Sequence, residues 1–353
     1  MQIKNILAEF KTLQAEKANW NTMFQIVGEY ISQIKQNFET QQQAGDFLTG
    51  DIFDSTGTFA AQASASALLG YLWPGTARQA IEIAEPEDLE LDSETAAFYE
   101  RMTDRLVAAM DDPDANLSMT LDEYMLDQII FGTSGVGVEH GDTSKLLFKA
   151  YGVKEAYLGE GKNGRIDKCY LLFEWPVERV VAEYGIENVS EKVRKKFEDG
   201  KYREMVKVLI CIRPRVVKAA QKGKLAMPYM SVHLEYESKK VLKEDGFHEM
   251  PIAFGRFRRL MYEQYGRSPA MNALPDIREA NVLRESIIVA TEKNLDPPLG
   301  ILDDGMLGGS TINTSAGAIN VFNASGNISG QNPVFPLVTV GSIPDALKRL
   351  EDL

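Results

Sequence analysis

The run YGRSPAMNALPDI, residues 265–277, constrains the fold more than any other part of this 353-residue chain. Ser268 is placed as a helix N-cap, because its side-chain oxygen can accept a hydrogen bond from a free backbone amide of the first turn. Pro269 suits the first helical position, where its missing N–H is no loss. The helical pattern continues to about residue 293, and Asp296-Pro297-Pro298 ends it. The sequence therefore predicts a helix of roughly 35 to 40 Å at 1.5 Å per residue.

The chain before this helix divides into a mainly helical first part and a β-rich second part. Helical spacing of apolar residues is found at 1–38, 60–73, 95–110 and 119–131. From Val136 the apolar period changes to two, and Asn163-Gly164 predicts a hairpin turn in a strand-like run that continues to Tyr184. Helix is expected again at 187–201, strands at 206–213 and 229–237, and Gly-rich loops with short strands after residue 299. The predicted fold class is α+β.

Charge is distributed unevenly along the chain, which has a net charge of −13. Residues 81–128 carry fifteen Asp and Glu against two Lys and Arg, whereas residues 192–224 carry twelve Lys and Arg against three Asp and Glu. Such a basic segment attracts a phosphate backbone without reading bases. A single acidic subunit is a poor DNA binder, but a ring of copies would repeat a modest basic band around an axis.

No residue pattern matches a catalytic, metal or cofactor site, so we predict no catalytic residue, no metal and no cofactor. His140, His233 and His248 are widely separated and have no cysteine or carboxylate at ligand spacing. The glycine-rich runs at 132–137 and 159–165 lack the element order or the Lys-Ser/Thr of a phosphate-binding loop.

Membrane and redox signals are also missing from the sequence. There is no run of eighteen apolar residues and no secretory leader pattern, so we predict no membrane span. The two cysteines, Cys169 and Cys211, are predicted to be buried apolar side chains in a reducing compartment.

Four stretches of the chain resemble the head-to-tail connector (portal) family of short-tailed podoviruses, and they follow one another in the same order as in that family. The most specific is residues 254–305, with its Y-G-R-S-P helix start and its D-P-P-L ending. The other three are IFDSTGTFAAQASASALLGYLWPGTARQ, LDQIIFGTSGVGVEH and FEWPVERVVAEYG. The resemblance extends from about Ile52 to Gly305; the first 40 residues carry no such motif, and the region that continues into the family's crown is absent.

The resemblance implies a portal-like division of the chain. The implied parts are a helical wing region at 1–131, a β-rich wing part at 132–185, a first stem helix at 186–204, a small clip at 205–265, a second stem helix at 266–294, and a Gly-rich channel loop with the start of a truncated C-terminal region at 295–353.

The resemblance also implies a non-enzymatic homo-oligomeric ring, usually of twelve subunits, at the capsid vertex of the virion. Double-stranded DNA would pass through it during packaging and ejection, and its partners would be the terminase motor, tail adaptor proteins and the capsid protein, with assembly in the host cytoplasm. The implied stem-helix start is Gly266, Ser268 and Pro269. The implied DNA-channel or clip candidates are Lys192, Arg194, Lys195, Lys196, Arg213, Arg215, Lys218, Arg256, Arg258 and Arg259.

Two other interpretations stay open at this point. A cytosolic oligomeric scaffold or adaptor would dock an acidic protein partner through the basic region, and an enzyme acting through carboxylates is a distant third. Mass in solution separates a closed ring from an adaptor.

Overall fold

The structure is a computed structural model that describes residues 3–32, 37–39, 50–74, 92–141, 144–215, 223–303, 312–323, 334–337 and 348. These residues contain seven α-helices and eleven β-strands, which confirms the α+β class. The chain forms two compact units. The first consists of Met1–Asp46 and Thr58–Asn272, and the second of Phe47–Gly57 and Ala273–Leu353.

Four helices precede the first strand, as the apolar spacing predicts. They are α1 (Ile3–Ile31), α2 (Thr56–Leu72), α3 (Ser93–Met110) and α4 (Leu117–Phe131), with a short 3-10 turn at Pro113–Ala115 before α4. The α1 helix buries one stripe of apolar side chains, whereas α3 has no buried residue along its whole length.

An antiparallel sheet of five strands forms the centre of the first unit. Its strands, in spatial order, are β3 (Ala156–Glu160), β4 (Ile166–Pro176), β5 (Met205–Pro214), β6 (Tyr229–Glu235) and β7 (Lys240–Phe247). Side chains alternate between its two faces, so that Leu209 and Cys211 of β5 pack with Phe10 of α1. Val206 and Val208 of the same strand face the opposite side. The sheet therefore has an apolar core on each face.

The second face is covered by two short helices, α5 (Val177–Tyr184) and α6 (Glu191–Glu198). The prediction of a strand-like run as far as Tyr184 is wrong for α5. Val177, Val180 and Tyr184 recur at helical spacing and are buried together against the sheet, so the helical period decides the structure. The α6 helix is shorter than the predicted 187–201, and β7 is a strand that the sequence reasoning did not identify.

Three further strands form a second sheet in the first unit. In spatial order they are β2 (Leu147–Gly152), β1 (Thr133–Glu139) and β8 (Ile252–Arg256), all antiparallel. The α4 helix leads directly into β1 through Gly132, which confirms the predicted helix end at residue 131, and the strand begins at Thr133, three residues before the predicted Val136.

The long helix α7 extends from Pro269 to Leu295, and its 27 residues agree with the predicted rod. It begins in the first unit and continues in the second, with Pro275 inside it. In the second unit the Asn281 carboxamide accepts hydrogen bonds from the Phe53 and Asp54 amides at 2.7 and 3.1 Å. The segment before α2 is thereby attached to α7.

The rest of the second unit contains three short strands. They are β9 (Leu299–Asp303), β10 (Ile319–Asn323) and β11 (Val334–Pro336), with β9 in the middle, parallel to β10 and antiparallel to β11. More than half of the implied channel loop and C-terminal region at 295–353 lies outside the described residues.

Candidate functional site

Two glycines allow the end of α4 and the start of α7 to meet backbone to backbone. Gly132 ends α4 in the left-handed region at φ 72°, and a Cβ built there would lie 2.6 Å from the carbonyl oxygen of Gly266. A Cβ at Gly266 would in turn overlap the carbonyl oxygen of Gly132. The Gly266 amide donates to the Thr133 hydroxyl at 2.8 Å, and the Phe257 amide donates to the Gly132 carbonyl at 2.9 Å. Glycine is required at this crossing because no side chain fits between the two backbones.

Ser268 connects the first turn of α7 to the last turn of α4. Its hydroxyl accepts a hydrogen bond from the Met271 amide at 2.9 Å and donates one to the Ile130 carbonyl at 2.8 Å. The residue is 1% exposed. The predicted N-cap is therefore confirmed, and Pro269 follows it as the first helical residue.

Tyr265, three residues before the cap, fixes this junction to the five-stranded sheet and to α1. Its buried hydroxyl accepts from the Leu158 amide and donates to the Ala156 carbonyl, both at 3.3 Å, on β3. The Trp20 ring of α1 lies 5.7 Å from the Tyr265 ring, and the Arg267 guanidinium lies 4.9 Å above Trp20. The helix start is thus held by both sheets, α1 and α4 at once.

The basic candidates on α6 are largely paired with groups of the same chain. Lys192 lies 2.8 Å from the carboxylate of Glu237, and Lys196 lies 2.9 Å from that of Glu204. The hydrogen bond and charge of Glu237 raise the pKa of Lys192. Arg194 donates to the carbonyl oxygen of Ile186.

Arg213, at the end of β5, belongs to a network under α1. It pairs with the carboxylate of Glu9, which also accepts from Lys168 at 2.9 Å and from the Tyr170 hydroxyl at 2.7 Å. Burial alone would raise the pKa of Glu9, but the hydrogen bonds from Lys168 and Tyr170 and the charge of Arg213 hold it below its usual value. Arg213 therefore fastens α1 to the sheet.

Arg215 directly follows β5, two residues after Arg213. It donates to the Leu225 carbonyl at 2.5 Å and the Asp245 carbonyl at 3.1 Å, and it lies 3.4 Å from the Glu244 carboxylate. Lys218 lies outside the described residues.

Arg256 and Arg259 both pair with Glu160 at the end of β3. Arg256 also donates to the carbonyl of Gly164, in the hairpin turn that the sequence predicts, at 2.6 Å. These two arginines connect β8 and the segment after it to the β3–β4 hairpin.

The basic candidates thus form several separate contacts and not one continuous patch. Of the nine candidates that lie within the described residues, Lys195 and Arg258 are the two whose side chains form no ion pair or hydrogen bond. The rest are mostly compensated by carboxylates within the chain. Most of the positive charge of these candidates is therefore paired with carboxylates of the same chain.

The titratable groups buried in the cores serve structural purposes. His233 lies 2.7 Å from the Tyr184 hydroxyl and 3.2 Å from the Ser231 hydroxyl, and burial lowers its pKa to about 4. Burial raises the pKa of Cys211 to about 12 and raises the pKa of Cys169 well above its usual value, which agrees with their prediction as buried apolar side chains. No group of three His, Cys, Asp or Glu in the described part of the chain is arranged to hold a metal ion.

None of the described helices is both long and apolar enough to cross a membrane.

Sequence reasoning identified the helix start but not the groups that anchor it. Glu9 is 204 residues from Arg213, and Glu160 is 96 residues from Arg256, so no local pattern marks either carboxylate. The role of Gly132 had a detectable signal, since a glycine directly after a helix is a common C-cap, but its contact with Gly266 depends on tertiary structure.

Comparison with known proteins places these elements in a family. The sequence model of the family described as "Bacteriophage head to tail connecting protein" matches residues 4–353. The chain is 25% identical over 301 residues to the "Portal protein" of Salmonella phage epsilon15, and 23% identical over 301 residues to the "Probable portal protein" of Bordetella phage BPP-1.

Each of these two alignments covers 84% of this chain and 54% of the relative, so the chain spans about half the length of the curated relatives it matches. The family match, in contrast, includes the helical region, both sheets and the anchored start of α7. The chain therefore belongs to the family of bacteriophage head-to-tail connecting proteins.

Proposed function

We propose that this chain is a portal subunit, which assembles with identical copies into a closed ring of twelve and forms a conduit for double-stranded DNA at the capsid vertex. The family match over residues 4–353 is the observation that carries the proposal. The chain takes part in no catalytic step, and the motor that hydrolyses ATP is a separate terminase partner. The ring also meets the capsid protein and tail adaptors, after assembly in the host cytoplasm.

The anchored start of α7 supports a stem role for this helix. A rod of 27 residues is about 40 Å long at 1.5 Å per residue. Its first turn, which lies in the first unit, is held by Ser268, Gly266 and the buried Tyr265. Identical rods standing at one fixed tilt are what a ring needs to line a channel. The assignments of 186–204 as another stem helix and 205–265 as the clip remain predictions.

The pairing of the basic residues supports passage of DNA and disfavours tight capture. Affinity for a phosphate backbone increases with the number of uncompensated Lys and Arg that meet it. Lys196 and Arg213 are paired with carboxylates, and Lys195 is the exposed α6 lysine without such a partner among the described residues. A few uncompensated positive charges per subunit, repeated around a ring, attract DNA and still let it slide. The same pairing disfavours the adaptor alternative, which needs a free basic surface.

The test is a DNA-packaging reaction with heads that carry the chain as their portal. We expect Lys195→Glu to reduce the nuclease-protected DNA per head, because it replaces an attractive charge with a repulsive one. The control is Lys145→Glu, an equal charge reversal at an exposed lysine outside the candidate set. Equal packaging by both variants would refute a DNA contact at Lys195, and heads that package nothing with the unchanged chain would refute the conduit itself.

A further inference from the structure

The turn of the β3–β4 hairpin carries two positive charges that are not paired within the described residues. The turn, residues 161–165, reads GKNGR. Lys162 and Arg165 are exposed, and the side chain of neither forms an ion pair or a hydrogen bond with a described residue. The Gly161 amide donates to the Arg165 carbonyl at 2.8 Å, and the Gly164 amide donates to the Gly161 carbonyl at 3.0 Å. The backbone of the turn is therefore closed by its own hydrogen bonds, and its two cations remain available to an outside partner.

The segment after β8 brings three arginines to this turn. Arg256 donates to the Gly164 carbonyl at 2.6 Å, and a Cβ built at Gly164 would lie 2.7 Å from both terminal nitrogens of the Arg259 guanidinium. Arg256 and Arg259 share one carboxylate, that of Glu160, so one of their two charges is left uncompensated. Arg258 is exposed, and its side chain has no ion pair or hydrogen bond within the described part of the chain.

Residues 160–167 and 256–259 together form what we call the basic edge. The basic edge carries five Lys and Arg against two Asp and Glu, a net charge of +3, in a chain whose net charge is −13. Its second carboxylate, Asp167, is half-buried beside Gly161. On α6, in contrast, Lys192 and Lys196 are paired with carboxylates. Positive charge that the chain does not neutralise is therefore concentrated at the basic edge.

We infer that the basic edge binds the phosphate backbone of double-stranded DNA, with Lys162, Arg165 and Arg258 as the side chains that contact it. Cations without an internal carboxylate keep their charge for an outside anion, and contacts to phosphates carry no sequence information. Two of the three are arginines, whose planar guanidinium can form two parallel hydrogen bonds with a phosphate. The choice of DNA as the ligand rests on the proposed conduit, which brings DNA of any sequence to every subunit.

The salt dependence of DNA binding tests this inference. The full chain is titrated against a short fluorescein-labelled duplex, with fluorescence anisotropy as the readout, between about 50 and 200 mM KCl. Each lost phosphate contact reduces the slope of log affinity against log salt by about 0.9. The double variant Lys162→Ala, Arg165→Ala should therefore reduce the slope by about 2 for each subunit that contacts the duplex, and equally for duplexes of different sequence. Arg258→Ala alone should reduce it by about 1.

The matched control is Lys4→Ala, Lys11→Ala on α1, which removes two charges from lysines that are also exposed and without a partner among the described residues. This control should keep the slope of the unchanged chain. Both double variants should also keep its urea midpoint, because the substituted side chains make no contact that stabilises the fold. An equal loss of slope in the two double variants, unchanged slopes in both, or no binding by the unchanged chain would overturn the inference.

Two further comparisons separate this inference from its alternatives. Poly-glutamate, added at the same concentration of charge as the duplex phosphates, should displace little DNA; displacement as strong as by unlabelled duplex would assign the basic edge to an acidic protein and overturn the DNA assignment. The basic edge lies within one chain, so the titration does not need a ring. Unchanged slopes from a chain that forms rings would leave the portal proposal standing, whereas the expected slopes from a permanent monomer would support the inference and contradict the portal proposal.

Discussion

Substitution of Gly132 by alanine tests the backbone crossing between Gly132 and Gly266, beside the start of α7. The new methyl carbon would lie 2.6 Å from the Gly266 carbonyl oxygen and 2.8 Å from the Ser268 nitrogen, both backbone atoms that cannot rotate away. Gly200 provides the matched control. It has nearly the same conformation, φ 76° against 72°, but a Cβ built there meets no atom within 4 Å.

These two variants separate the effect of the left-handed conformation on stability from the effect of the close backbone contact. Gly200→Ala only places a non-glycine residue in the left-handed conformation, which lowers the free energy of unfolding by about 1 kcal/mol. Gly132→Ala carries that cost and also forces the backbones apart, which adds about 1 to 3 kcal/mol by analogy with overpacked cores. Separation also weakens the hydrogen bond from Gly266 to Thr133, which contributes about 1 kcal/mol. We expect Gly132→Ala to lower the free energy of unfolding by about 3 to 5 kcal/mol.

Urea unfolding followed by tryptophan fluorescence measures the difference, because Trp20 packs against Tyr265 beside the crossing. The midpoint of Gly132→Ala should lie well below that of Gly200→Ala, with both below the unchanged chain. Equal midpoints for the two variants would refute the close approach of Gly132 and Gly266, because the positive φ alone would then explain both.

Two more predictions concern the cap and a buried histidine. Ser268→Ala should lower the free energy of unfolding by about 2 kcal/mol, since it removes a helix cap and leaves the buried Ile130 carbonyl without its donor. The control, Ser286→Ala at an exposed position on the same helix, should change the free energy of unfolding by less than about 0.5 kcal/mol. Equal urea midpoints for the two variants would contradict the prediction. Burial lowers the pKa of His233 in the folded chain to about 4. As the pH drops from about 6.5 to 4, the unfolded chain therefore binds a proton at this histidine that the folded chain does not bind, and the free energy of unfolding falls. The loss should reach about 2 to 3 kcal/mol, and His233→Gln should make urea midpoints less dependent on pH in this window; an equally steep dependence would contradict the assignment.

The start of α7 was predictable because every signal for it is local. Ser268 and Pro269 are adjacent, and their preferences for the cap and the first helical position depend on the backbone alone. The α5 helix was missed for the opposite reason. Its eight residues follow a long strand and contain three valines, which also suit strands, so the segment reads as an extension of β4 until its packing is known.

The sequence does not indicate which carboxylates the basic residues pair with. Lys196 and Arg213 lie in the same basic segment, but one pairs with Glu204 nearby and the other with Glu9, which is 204 residues away. Local charge counts therefore indicate a positive surface that the fold largely neutralises. The exposure of Met261 and Tyr262 was missed likewise, because apolar and aromatic side chains suggest burial and only the structure reveals that these two are exposed.

Electron microscopy of the purified chain, combined with its native mass, tests the proposed ring most directly. The expected result is a closed ring with a central opening and a mass of about twelve times 39.3 kDa. A protein that remains a monomer or dimer of 39.3 kDa chains at every concentration measured would contradict a self-assembling conduit.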